Sequence, residues 1–292
     1  MRFCRNLIGI LLPALLFFLP TACLPHKKLT VVSAATLLEE VAQASYRQSD
    51  LRVIREGMPA YLLLMDGMVE AWPDNERLLI GAAQGYSSYA SAFVDDEDQD
   101  YGRALYARAK DYALRALEQR GLKRPRDGNL DVFTAALSDL GKKDIAYMFW
   151  AAACWGNWIG LNLGSMEALA ELPRVELLMK KVLELDEGFY YGGPHLFMGI
   201  LYGSRPKIAG GDLAKARAHF LKAIELGQGK FLMANIYYAA NYARPAFDKA
   251  LFISILQKTL KTPADEIPEL TLLNTVAHHK AQKMLDQAEE YF

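Results

Sequence analysis

The chain has 292 residues, with 33 Lys and Arg against 34 Asp and Glu and a formal charge of −1. That balance gives no footing for a nucleic-acid or polybasic membrane surface. An apolar content of 52% with 11% aromatic residues excludes intrinsic disorder, and three cysteines exclude a disulfide-stapled scaffold.

The N-terminus reads as an export signal. Arg2 and Arg5 precede Leu7–Thr21, an uncharged run shorter than the roughly 20 residues of a membrane span. Small Thr21 and Ala22 stand before Cys23, the arrangement of a bacterial lipoprotein signal cleaved ahead of a cysteine that is then lipidated. Pro20 replaces the usual Leu of such signals, so an ordinary cleaved secretory signal is the alternative. The expected organisation is a signal peptide over 1–22, a tether over 23–44 and one helical domain over 45–292. Removal of Cys4 with the signal leaves Cys154, between Ala153 and Trp155, as a free thiol that reads as a small buried hydrophobe.

Helix follows helix through the rest of the chain. Asp74 after Pro73 is positioned to cap a helix whose stripe is Leu79, Ala82, Ala83, Tyr86, Tyr89, Ala90 and Phe93. The acidic run from Asp95 to Asp100 fits an EF-hand only at its start. Numbered from Asp96, the loop puts Tyr101 at the glycine position and Ala107 at the bidentate glutamate, so it reads as helix-leading acids. A second stripe, Tyr101 to Ala116, is closed by Gly121 and Pro125. Pro173 suits a first helical position ahead of Val175, Leu178, Met179 and Val182, with Asp186-Glu187-Gly188 as the stop. Asp212 caps Leu213 to Ile224, and Gly227 is placed for the left-handed residue after it. Ala250–Leu260 and Leu270–Tyr291 add two more helices. No segment shows strand alternation with hairpin signals.

The fold class is therefore all-α. Gly199 and Tyr202, then Ala216, Phe220 and Ala223, carry the small–aromatic spacing of a tetratricopeptide-like unit, so the helices are expected to form a helical-repeat array, an α-solenoid. The alternative is a plain bundle.

Chemistry-bearing patterns mostly fail. Ser204 to Lys207 has a Ser-x-x-Lys spacing without the partner motifs of penicillin-recognising enzymes. Gly227-Gln228-Gly229-Lys230 lacks the remaining P-loop residues. His278 and His279 point to two sides of a helix, and His195 and His219 have no ligand-spaced neighbour. No enzyme, metal or cofactor is expected. Ile145–Gly164 is uncharged and long enough to cross a bilayer, with Gly156, Gly160 and Gly164 at intervals of four. Asn157 and Asn162 favour instead a buried helix whose Trp150, Trp155 and Trp158 line a cleft or a subunit contact. Tyr238, Asn241, Tyr242 and Arg244 offer a second amphipathic surface, and Asn157, Asn235 and Asn241 are candidates to meet a ligand's backbone. In the loop after Tyr202, Pro206 stiffens the presentation of Arg205 and Lys207. Arg205 either recognises a carboxylate or caps the preceding helix.

Glu56-Gly57-Met58-Pro59-Ala60-Tyr61-Leu62, Trp72-Pro73-Asp74-Asn75, Ala82-Ala83-Gln84-Gly85-Tyr86-Ser87-Ser88-Tyr89-Ala90, Tyr112 to Leu117, Gly203-Ser204-Arg205-Pro206-Lys207 and Gly210-Gly211-Asp212 together resemble the T-component (TatT) lipoproteins of tripartite ATP-independent periplasmic (TRAP) transporters. The resemblance spans about Ser45–Leu260. It implies a periplasmic, membrane-anchored accessory protein of a transport system, partnered by a TRAP solute-binding protein. It also implies a homo-oligomer, with trimers the expected form, and a channel or cleft in each protomer for a hydrophobic or organic-acid ligand. A peptide-binding repeat scaffold for envelope assembly is the competing reading.

Overall fold

A computed structural model describes residues 26–94, 97–123, 125 and 128–292, with side chains from Ala34 onward. The signal over 1–22, Cys23 and the acids Asp95 and Asp96 lie outside the described residues. Helices make up most of what is described, and no strand occurs among those residues. In chain order they are α1 His26–Tyr46, α2 Leu51–Ala71, α3 Glu76–Phe93, α4 Gln99–Gln119, α5 Leu130–Ser138, α6 Ile145–Gly160, α7 Met166–Leu185, α8 Phe189–Gly203, α9 Leu213–Leu226, α10 Met233–Tyr238, α11 Lys249–Lys261, α12 Thr271–Asp286 and α13 Ala288–Tyr291. The segment 23–44, expected as a tether, is thus helical from His26.

Neighbours in sequence pack as antiparallel pairs, most extensively α3 with α4, α6 with α7 and α8 with α9. Two apolar cores result. The first joins α2 through α7 and the Met198 and Leu201 side of α8, with Leu79, Leu117, Met148 and Trp155 at its centre. The second joins α8 through α13 around Phe220, Leu232, Phe252 and Leu256. The small–aromatic spacing read from the sequence does mark a helix contact: a Cβ on Gly199 would stand 2.9 Å from the Phe220 ring, and Ala216 and Ala223 are fully buried beside it.

Several helix ends depart from expectation. Asn75, not Asp74, caps α3, its Oδ1 accepting the amides of Arg77 and Leu78 at 3.0 and 3.2 Å. Pro173 does not open α7. Ser165 does, with its Oγ accepting the Ala168 amide at 3.2 Å, and Pro173 lies inside the helix, forgoing one backbone bond to Leu169. Gly227 is right-handed, at φ −77°, and Gln228 and Gly229 take the positive φ. The C-terminal helix breaks at Gln287. Asp212 caps α9 as expected, accepting the Lys215 amide at 3.0 Å. The uncharged segment from Ile145 is helical only to Gly160, and no described helix is long and apolar enough to cross a membrane.

The entry to α8 is strained. Tyr190, Tyr191 and Gly192 are consecutively left-handed, at φ 49°, 58° and 80°. For each tyrosine this costs about 1–2 kcal/mol. The Tyr190 ring is held there by Phe149, Trp150 and Phe231, with centroids 5.2 to 5.9 Å away. It touches both apolar cores.

His195 and His219, unrelated by spacing, meet across the α8–α9 pair. Their Nδ1 atoms are 2.9 Å apart, and His195 Nε2 lies 3.1 Å from Glu187. Tyr202 stacks on His219. Burial first, then His195 and Lys215, hold His219 below its ordinary 6.5. The folded chain therefore resists a proton that the unfolded chain accepts. The stability this group contributes is complete above about pH 6.5 and is lost as pH falls through the folded value. Denaturant titrations are expected to show a smaller loss between about pH 7.5 and 5.5 for His219→Gln than for the parent protein.

Candidate functional site

A cavity of about 330 Å³ opens between α1, α2 and α3, a volume within the usual range for small-ligand pockets. Each helix gives it one face. On α2 the lining positions Ile54, Met58, Tyr61 and Met65 recur at three and four. On α3 they run from Arg77 to Phe93, a stretch of helix about 24 Å long at 1.5 Å per residue. Tyr190 and Leu272 close it from the strained turn and from α12.

Glycines create the room. Gly57 on α2 has nothing within 4 Å of where a Cβ would stand. On α3, a Cβ at Gly81 would sit 3.2 Å from Met65 Cε, and one at Gly85 would sit 3.0 Å from Leu62 Cδ2. Side chains at these positions would occupy the space or press on its walls.

The only charges lining the cavity among the described residues are Glu39 of α1 and Arg77 of α3, and they pair, both carboxylate oxygens accepting from one guanidinium nitrogen at 3.0 Å. A second ion pair, Arg47 to Glu269 at 2.8 Å, ties the end of α1 to the turn before α12. Burial pushes the Tyr61 phenol up to about 12, with Tyr46 and Glu39 adding to the shift, so it stays protonated and available as a donor. Burial also raises the Tyr46 and Tyr190 phenols.

None of the sequence candidates lines this space. The tryptophans of α6 face protein. Trp155 is fully buried and donates its Nε1 hydrogen to Glu171 at 2.6 Å. Lys110 Nζ rests 3.1 Å from the Trp158 ring centre and 3.3 Å from the same Glu171. Trp150 packs edge-on to Tyr190, one layer behind the cavity wall. Asn157 donates to Ser87 at 3.3 Å, linking α6 to α3. Asn235 is buried. Asn241 donates to Tyr237 O at 3.1 Å, and Tyr238 and Tyr242 stack at 5.3 Å. Arg244 covers the Tyr291 ring at 4.1 Å.

Arg205 Nε donates to Leu201 O at 2.7 Å, closing the last turn of α8, while Lys207 is exposed. Gly211 lets the loop fold back so closely that a Cβ there would overlap the Arg205 carbonyl. The Cys154 thiol is buried and pushed up to about 12 by that burial. Among the described residues no three His, Cys, Asp or Glu side chains gather as a metal-holding group.

Residues 47–292 match the family model for the TRAP transporter T-component, TAtT. The chain belongs to the TRAP transporter T-component family. No curated protein matches it. The T-component match begins directly after α1, which ends at Tyr46, and takes in the whole of α2 and α3, so it covers two walls of the cavity and Arg77. Membership makes this T-component an accessory part of a transport system.

Proposed function

We propose that this T-component is a periplasm-facing lipoprotein, anchored through Cys23 and assembled as a homotrimer, that docks a TRAP solute-binding protein. In this reading it passes an apolar or organic-acid ligand through the α1–α3 cavity. Family membership supports the partnership. The observation that carries the ligand part is the elongated cavity, walled by apolar side chains and opened by glycines on two of its helices. Such a space binds by removing apolar surface from water, at about 25 cal/mol per Å².

The partnership is tested by cross-linking membranes that contain the tagged protein and identifying what is retained. A TRAP solute-binding protein is expected, and recovery of envelope-assembly proteins in its place contradicts the proposal. The cavity is tested by Gly57→Leu. Replacing a helix-interior glycine is expected to leave the fold as stable or up to about 1 kcal/mol more stable. Uptake of an apolar fluorescent probe should nevertheless fall at least tenfold, because the leucine occupies the open space beside α2.

A further inference from the structure

The α8–α9 contact holds a proton-sensitive pair directly beside the strained turn. The Glu187 carboxylate can only accept, so His195 Nε2 carries the hydrogen of their 3.1 Å bond and His195 Nδ1 is a bare lone pair. His219 Nδ1, 2.9 Å from that lone pair, is therefore the donor. One added proton leaves the bond intact, because one ring still offers a lone pair to the other. A second sets N–H against N–H and puts two positive rings in contact. The His195 side chain is 12% exposed, which leaves it little water to turn to. Tyr202 stacks on His219 from α8. Lys215 and Lys222 flank the pair on α9, the first 3.8 Å from Asp212, the second 3.9 Å from Glu187 and 3.4 Å from Glu225. Lys180 of α7, beyond Tyr202, is 2.8 Å from Glu176. Burial, His195 and Lys215 all oppose a proton on His219, so the second proton is accepted only below about pH 6.5.

The same helix contact supports the turn. His219, Ala223 and Leu226 lie at i, i+4 and i+7 along one face of α9. A Cβ on Gly192 would stand 3.0 Å from the Ala223 carbonyl oxygen and from Leu226 Cβ, so α9 backs Gly192 one turn beyond the histidines. The Glu187–His195 bond joins the residues on either side of the turn. Left-handed Tyr190 and Tyr191 are disfavoured and persist only while their surroundings fix them. Tyr190 is also the residue of this turn that lines the cavity and meets both cores.

We infer, resting on the ligand-carrying reading above, that the His195–His219 pair is a proton-operated latch on the α1–α3 cavity. While the pair shares its bond, α9 backs the turn and Tyr190 stays in the wall. When both rings are protonated, α9 parts from α8, the turn relaxes, and the cavity opens at its Tyr190 end and releases its ligand.

The test uses diphenylhexatriene, a rod-shaped hydrocarbon with no titratable group, and the Cys23→Ser protein, so that no detergent competes. Its affinity is measured at about pH 7.5 and about pH 5. Amide exchange, corrected for its intrinsic pH dependence, is followed over 186–195. In the parent the affinity is expected to fall at least about fivefold at the lower pH, as a population shift toward the open form requires. Protection over 186–195 should fall with it, while α3 and α4 keep theirs. His219→Asn puts an amide where Nδ1 stands and takes up no proton, so its affinity should stay within about twofold across the range. Glu187→Gln removes the anion beside the pair and should move the parent's transition to lower pH. A parent affinity that ignores pH, or an equal fall in His219→Asn, overturns the inference and leaves the ligand-carrying reading standing. No uptake of the probe at either pH overturns the ligand-carrying reading instead. Exchange over 186–195 then decides the latch: protection lost at low pH in the parent but kept in His219→Asn upholds the movement of the turn, and protection unchanged in the parent overturns it.

Discussion

Arg120→Met is expected to destabilise the protein by about 3–5 kcal/mol, the usual consequence of stranding a buried charge. Asp144 is that charge: its side chain is 1% exposed. It accepts the Gly141 amide at 3.0 Å, and Arg120 supplies two further bonds, from Nε at 2.8 Å and from the terminal nitrogen at 2.7 Å. The other terminal nitrogen of Arg120 reaches both Glu76 oxygens at 3.1 and 3.2 Å, and its guanidinium covers the Tyr147 ring. One side chain thus joins the start of α3, the end of α4 and the start of α6. Methionine fills most of the volume and supplies none of the donors. Thermal unfolding should move down by about 10 °C for a chain of this size. Adding Asp144→Asn to Arg120→Met should recover more than about 1 kcal/mol, since the uncompensated charge is then gone. Simple additivity of the two variants would contradict the ion-pair account.

Asn274→Ala is expected to cost about 3 kcal/mol. Asn274 is fully buried on α12 and spends its whole side chain on loop backbone. Its Oδ1 accepts the Leu232 amide at 3.0 Å, and its Nδ2 donates to Lys230 O at 2.9 Å and Ala264 O at 3.0 Å. Alanine leaves those backbone groups inside the second core without partners. The loss is local, so amide exchange offers a sharper readout than melting alone. Protection should fall first at Leu232 and across 262–270, while α3 and α4 keep theirs. Uniform loss across both cores would show that Asn274 does something other than tie these loops.

Much of the fold was legible because it rests on local signals. The α3 stripe, the Asp212 cap and the Gly199–Phe220 contact depend on residues a few positions apart. Pro173 misled because a proline at a helix start and one inside a helix look alike in sequence, and the capping hydroxyl of Ser165 outweighs it. The His195–His219 pair and the three bonds of Asn274 join distant positions, so spacing carried no trace of them.

The cavity was harder to read for a physical reason. Large aromatic and polar side chains such as the tryptophans of α6 stand out in a sequence, whereas an empty space does not. Those rings are consumed by packing and by Glu171 and Lys110. The cavity is made by what Gly57, Gly81 and Gly85 lack. Its third wall is α1, where a tether was expected, and that wall carries Glu39. The family motifs around Gly57 and Gly85 lie on two of the helices that wall the cavity.

The most direct measurement is ligand transfer. A fluorescent apolar ligand is loaded into the proposed partner, a TRAP solute-binding protein from the same organism, and the T-component is added in its parent form or as Gly57→Leu. Transfer to the parent protein, with at least a tenfold slower transfer to Gly57→Leu at unchanged affinity between the two proteins, is the expected result. Transfer at equal rates to both forms would contradict the central claim that the α1–α3 cavity is the working site.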